Sequence, residues 1–124
     1  MRAATLFEAL DALTKQRCWR LESGGQDKIS YSEWRDTLMF FRQITGSERK
    51  AKELWSQLMT VKTPDGRRLA RQVNQSNSLI LDLAAVGDFL ALKFPAYAKA
   101  MRFAKEGSVT ASLPDKDTIE EEGQ

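Results

Sequence analysis

The chain has 124 residues, 42% of them hydrophobic, and a formal net charge of +2. That length suits one domain with a modest core, and no apolar run approaches the roughly 18–20 residues of a membrane-spanning helix. With no histidine and Cys18 as its one cysteine, the sequence lacks the residues for zinc fingers, for Ser-His or Cys-His nucleophilic sites and for an internal disulfide.

The small net charge hides an uneven distribution. The last nineteen residues carry Glu106, Asp115, Asp117, Glu120, Glu121 and Glu122 against Lys116, so that end is near −5 and residues 1–105 are near +7. A basic body of this kind suits phosphate, acidic lipid or an acidic helix, and it is equally the composition of an ordinary solvated surface.

In chain order, Ala3, Leu6, Phe7, Leu10 and Leu13 recur at three- and four-residue steps, which predicts an amphipathic helix over residues 3–19 rather than a signal peptide. The stretch ESGGQDKISYSEW, residues 22–34, then reads as an eroded helix-loop-helix calcium loop. Such a loop takes oxygens at positions 1, 3, 5, 7 (backbone), 9 and 12, with glycine at 6. Placing the apolar eighth position on Ile29 puts Glu22 at 1, Gly24 at 3, Gln26 at 5, Lys28 at 7, Ser30 at 9 and Glu33 at 12. Gly24 brings no side-chain oxygen, Gln26 only a neutral one, and Asp27 stands where glycine belongs. Glu22, Gln26, Lys28, Ser30 and Glu33 are therefore the candidate metal ligands of a calcium site that is weak or absent, with affinity no better than roughly 10⁻⁴ to 10⁻³ M. Ser30 and Glu33 also form a capping box for the helix that follows, and that role accounts for Glu33 without an ion.

This second helix is predicted to bury Trp34, Thr37, Leu38, Phe41 and Ile44, with Gly46 as its stop. Ser47 caps a third, reaching Met59 and turning Ala51, Leu54, Trp55 and Leu58 inward, and Pro64-Asp65-Gly66 makes a turn. Residues 61–78 exceed a usual connection, and the pattern leaves open whether Leu69 to Val73 is a strand or a short helix. Farther on, LILDLAAVGDFL repeats DKISYSEWRDTL, setting Leu81 on Ile29, Asp82 on Ser30, Val86 on Trp34 and Leu90 on Leu38. Position 12 becomes Ala85, so no calcium site is expected there and Asp82 reads as an N-cap. Pro95 starts a last, basic helix, predicted over 96–105 and closed by Gly107, and the acidic remainder predicts a disordered tail over 107–124 beyond a domain of 1–106.

The phrase MRAATLFEALDAL followed by GQDKISYSEWRDTL resembles the first unit of the paired EF-hand-like domain of two-pore cation channels, and ARQVNQSNSLILDLAAVGDFLALKF resembles the second, together over roughly residues 3–95. The resemblance implies a domain on the cytosolic side, joined to pore-lining helices and coupling the cytosol to the gate, in a family where some members bind calcium and others have lost the ligands. The chain departs from that pattern in a long insertion between the half-motifs and in having no membrane segment, so both an excised channel domain and a stand-alone subunit fit.

These readings combine into an all-α expectation: paired EF-hand-like helix-loop-helix units with a short two-stranded ribbon between the loops. The expected function is non-catalytic, since no nucleophile-base pair or phosphate-binding glycine loop occurs. It is a cytoplasmic regulatory or protein-interaction module, a part or subunit of a cation channel or other membrane assembly at the cytosolic face. Trp34, Phe41, Trp55, Lys99, Arg102 and Lys105 are its expected contacts to a partner helix, amphipathic or membrane-proximal. No cofactor beyond weak calcium is expected, and the membrane is reached only through a partner. The alternative is a basic helical adaptor for nucleic acid or an acidic membrane surface, using Arg67, Arg68, Arg71, Lys99, Arg102 and Lys105.

Overall fold

A computed structural model describes the backbone of residues 4–41, 43–74 and 76–112, and their side chains as far as Ala104. Helix α1, Leu6–Gln16, starts at Thr5, whose hydroxyl accepts the Glu8 amide while the Glu8 carboxylate accepts the Thr5 amide at 3.0 Å. Strand β1, Gln26–Ser30, runs directly into α2, Tyr31–Asp36. Ser30 and Glu33 exchange the same pair of bonds there, at 3.2 and 2.8 Å. A π turn, Thr37–Phe41, ends α2 short of the expected Gly46, and the amides of Ile44 and Thr45 both close onto the Leu38 carbonyl. Helix α3, Glu48–Thr60, is capped by Ser47, and α4, Leu83–Ala91, by Asp82, so the residues aligned as repeats, Ser30 and Asp82, do the same work at the ends of two strands.

The all-α expectation is wrong. A three-stranded antiparallel sheet, ordered β1-β3-β2, stands where a two-stranded ribbon was expected, and the fold is mixed α/β. Its middle strand is β3, Ser78–Asp82, and the third is β2, Ala70–Gln72, drawn from the segment that the sequence left open. Leu79 and Leu81 are fully buried and alternate with half-buried Ile80, the period-two pattern of a strand with one face on the core. Having neighbours on both sides, β3 finds partners for the backbone groups that point either way, and β2 is the piece of chain that lies beside it through a turn closed by Val73, Ser76 and Ser78. Ile29 pairs with Leu79, whereas the repeat alignment had matched it to Leu81; the two-residue offset keeps both leucines facing inward.

The core lies between this sheet and the helices: Leu10 and Leu13 of α1, Trp34 and Leu38, Leu54 and Leu58 of α3, Leu69, Leu79, Leu81, and Val86 and Leu90 of α4 are at most 1% exposed. The Trp34 indole N–H donates to the Ala51 carbonyl at 2.9 Å, which lets the largest side chain of the core sink completely. Helix α5, Pro95–Ser112, continues past Gly107, the expected stop; residues 113–124 of the expected tail lie outside the described residues. It crosses α4 at Gly87, where an added Cβ would come within 2.6 Å of Met101 Sδ and 3.1 Å of Leu21 Cβ. A hydrogen bond from the Tyr97 hydroxyl to Asp11, at 2.6 Å, ties the start of α5 to α1.

The close crossing predicts that Gly87→Val, by overpacking Met101 and Leu21, lowers stability by about 1–3 kcal/mol in urea denaturation. An unchanged midpoint would mean that α5 is not seated on α4 in solution.

Candidate functional site

The 22–33 loop is organised around a residue that spacing did not single out. Arg17 ends α1, and Cys18, with φ +56°, turns the chain back so that the Trp19 amide reaches the Thr14 carbonyl. The guanidinium then lies against β1. Its Nε donates to Asp27 Oδ2 at 2.7 Å, Nη1 to Glu33 Oε2 at 3.3 Å, and Nη2 to the Lys28 carbonyl at 3.2 Å. The Trp19 indole N–H adds a 2.6 Å bond to the same Asp27 oxygen, and the Lys28 amide donates to Asp27 Oδ1.

The electrostatics agree with that geometry. Burial works against the charge on Asp27, but bonds from Arg17, Trp19 and the Lys28 amide outweigh it, and the carboxyl sits below its ordinary range. Glu33 is lowered first by the Ser30 amide and then, against a burial cost, by Arg17. The Arg17 guanidinium is raised in turn, mainly by its bond to Asp27.

Of the five expected ligands, the structure brings Glu33 and the Lys28 carbonyl onto the Arg17 guanidinium, with an Asp27 oxygen as the third acceptor. Ser30 faces Glu33 only as its capping partner. Glu22 lies in a 3₁₀ turn, Leu21–Ser23, beside α5, and Gln26 lines a different cleft with Arg68, Ile80 and Asp82. Among the described residues no three acidic or cysteine side chains converge as metal ligands. The oxygens that do converge already hold a cation, supplied by the chain itself. No local rule links Arg17 to Asp27 and Glu33, ten and sixteen residues away, because the contact needs the turn at Cys18 and the packing that brings the end of α1 against β1.

The expected partner contacts are dispersed. Trp34 is fully buried and Trp55 is 7% exposed, packed edge-on to Tyr31 at 5.5 Å, so both are built into the core, and Trp55 also lines an open cleft with Tyr31 and Glu48. Phe41 is half-exposed at the end of the π turn, Lys99 and Arg102 are exposed on α5, and the Lys105 side chain lies outside the described residues. Arg67, one of the adaptor cations, is engaged by Asp65 at 3.0 Å and by Asp88. Arg68 and Arg71 line one cleft and Lys99 another.

An open groove of about 590 Å³ does occur elsewhere, between the start of α1, the length of α3 and the end of α4. Leu6, Phe7, Leu54 and Phe89 make its floor, with the rings of Phe7 and Phe89 stacked at 4.3 Å. Lys50 and Lys93 stand at its rim, Lys93 Nζ lying 5.6 Å from the centre of the Phe7 ring. Among the described residues no carboxylate lines it, although Lys50 reaches Glu53 at 3.3 Å. Leu6 and Leu54 are buried as their periodicity predicts, Phe89 is buried with them, and the three-helix packing leaves Phe7 partly open.

Two predictions concern the loop. Arg17→Met keeps the aliphatic stem and removes the charge, so it should cost about 2 kcal/mol at pH 7 by urea denaturation. Asp27 and Glu33 have folded-state pKa values below their ordinary 3.8 and 4.5, so their contribution is complete above that range and disappears as pH falls through the lowered values. The difference between parent and variant should therefore shrink toward pH 3; a gap constant with pH would make Arg17 a packing residue only. At Glu33, Gln keeps an oxygen for the Ser30 amide whereas Ala removes the cap, at a cost of about 0.5–2 kcal/mol. For the parent and for each variant, the melt in chelator should coincide with the melt in millimolar calcium, with Gln close to the parent and Ala lower in both, and a calcium-dependent rise that Gln abolishes would show an ion displacing Arg17. No protein-family model matches the chain, and no curated protein or solved structure matches it either.

Proposed function

We propose that this chain is a non-catalytic protein-interaction module that holds an acidic amphipathic helix in the groove between α1, α3 and α4. The observation that carries the reading is the groove's composition: the half-buried Phe7 beside a buried apolar floor of Leu6, Leu54 and Phe89, between two lysines, with no carboxylate among its described lining residues. An amphipathic helix binds such a surface by seating large side chains at three- and four-residue spacing, and flanking carboxylates would meet Lys50 and Lys93. The open shape suits a helix laid along the surface better than a small molecule that must be enclosed on most sides.

The likeness of residues 3–95 to the EF-hand-like pair of two-pore cation channels gives that partner a setting. The helix would be a membrane-proximal segment of a cation channel or other membrane assembly, and the module would act regulatively at its cytosolic face. Among the described residues no helix is long and apolar enough to cross a membrane, so any membrane attachment in this reading runs through the partner. With Arg17 in the loop, engagement would follow partner availability rather than calcium.

The test is calorimetric titration with two synthetic amphipathic helices that share Leu and Trp anchors, one flanked by Glu and the other by Lys. The Glu peptide should bind and weaken with added salt, and Lys50→Glu with Lys93→Glu should lower its affinity about tenfold or more while allowing the Lys peptide to bind. Indifference of the Glu peptide to both reversals would refute the groove as its site.

A further inference from the structure

A second open cleft lies on the outer side of α5, away from the α1–α3–α4 groove. The Leu21–Ser23 turn and α5 enclose about 640 Å³, floored by Ala96, Ala100 and Ala104 at successive turns of the helix. Phe103 stands at its edge and is 77% exposed, more than the other exposed large apolar side chains of the described residues, Phe40, Phe41 and Leu92. A knob and a hole therefore share one face. The charges around them are of both signs, Arg20 and Lys99 against Glu22, and among the described residues none of these three side chains has a hydrogen-bond or ion-pair partner.

A face meant for an acidic or a basic stranger would carry one sign. This one carries both, and beside them an aromatic side chain and a cleft floored by alanines to receive it. Those are the requirements of a two-fold contact, in which the same patch must complement itself. Alanine at three successive turns lets two helices approach closely, and Ala96 to Ala104 span about 12 Å of α5 for such a pairing. We propose that this face is the interface of a homodimer. Phe103 of each copy seats between the α5 alanines and the Leu21–Ser23 turn of the other, and Glu22 of each copy faces Lys99 of the other.

Sedimentation of the full chain from about 1 to 200 µM tests it, in the range where an interface of modest size assembles. A monomer–dimer equilibrium is expected, and Phe103→Asp should weaken it about tenfold or more with an unchanged thermal melt, because the ring is exposed in the single chain. Glu22→Lys and Lys99→Glu should each weaken dimerisation, and the two together should restore it, which a merely structural role for either residue would not produce. A monomer at every concentration overturns the proposal and leaves the face to a different protein. A dimer indifferent to Phe103→Asp, or a double variant weaker than both single ones, overturns it as well.

Discussion

One side chain holds the first half of this structure in register. Arg17 binds a strand carboxylate, a strand carbonyl and the capping glutamate of the next helix, so the end of α1, the middle of β1 and the start of α2 are fixed to a single planar group. A guanidinium suits that position because its donors point outward in a fixed fork and its charge persists at every physiological pH. Its carboxylate partners are about one-third and one-half exposed, so the value of the arrangement lies in geometry more than in raw Coulomb energy. Trp19 shares the Asp27 oxygen and completes a short network that would be costly to leave half-made.

Features that depend on a few consecutive residues were legible in the sequence. Ser30 with Glu33, Ser47 and Asp82 announce helix starts because a cap reads only the turn next to it, and the apolar periods of α1, α3 and α4 locate the core. What failed depends on partners distant in sequence. Ala70, Arg71 and Gln72 have little strand character of their own and become β2 because β3 presents an unpaired edge to them. The aromatic residues show a related ambiguity. Trp34 and Trp55 lie on an apolar helix face, and periodicity cannot say whether such a face meets its own core or a foreign helix; here the Ala51 carbonyl satisfies the Trp34 indole and the first outcome wins.

The Lys28 carbonyl and the Glu33 carboxylate, expected at the seventh and twelfth positions of a calcium loop, converge instead on a guanidinium carried by the preceding helix. The tether gives that cation a high effective concentration that does not vary with the surrounding medium. A loop so filled serves as a constant of the fold, and its stiffness passes directly into the strand and helix it joins.

The sheet has a bearing on how the chain avoids the wrong company. Both of its outer strands are short, β2 with three residues and β1 with five, and both carry charge, Arg71 on one and Asp27 and Lys28 on the other. On β1 the Lys28 carbonyl, a backbone acceptor that another chain's strand could otherwise use, is already bonded to Arg17. Brief, charged and partly sealed margins resist the strand-to-strand addition through which β-proteins aggregate. Crowded solution then leaves side-chain surfaces as the means of association, and those can discriminate between neighbours where bare peptide groups would accept any of them.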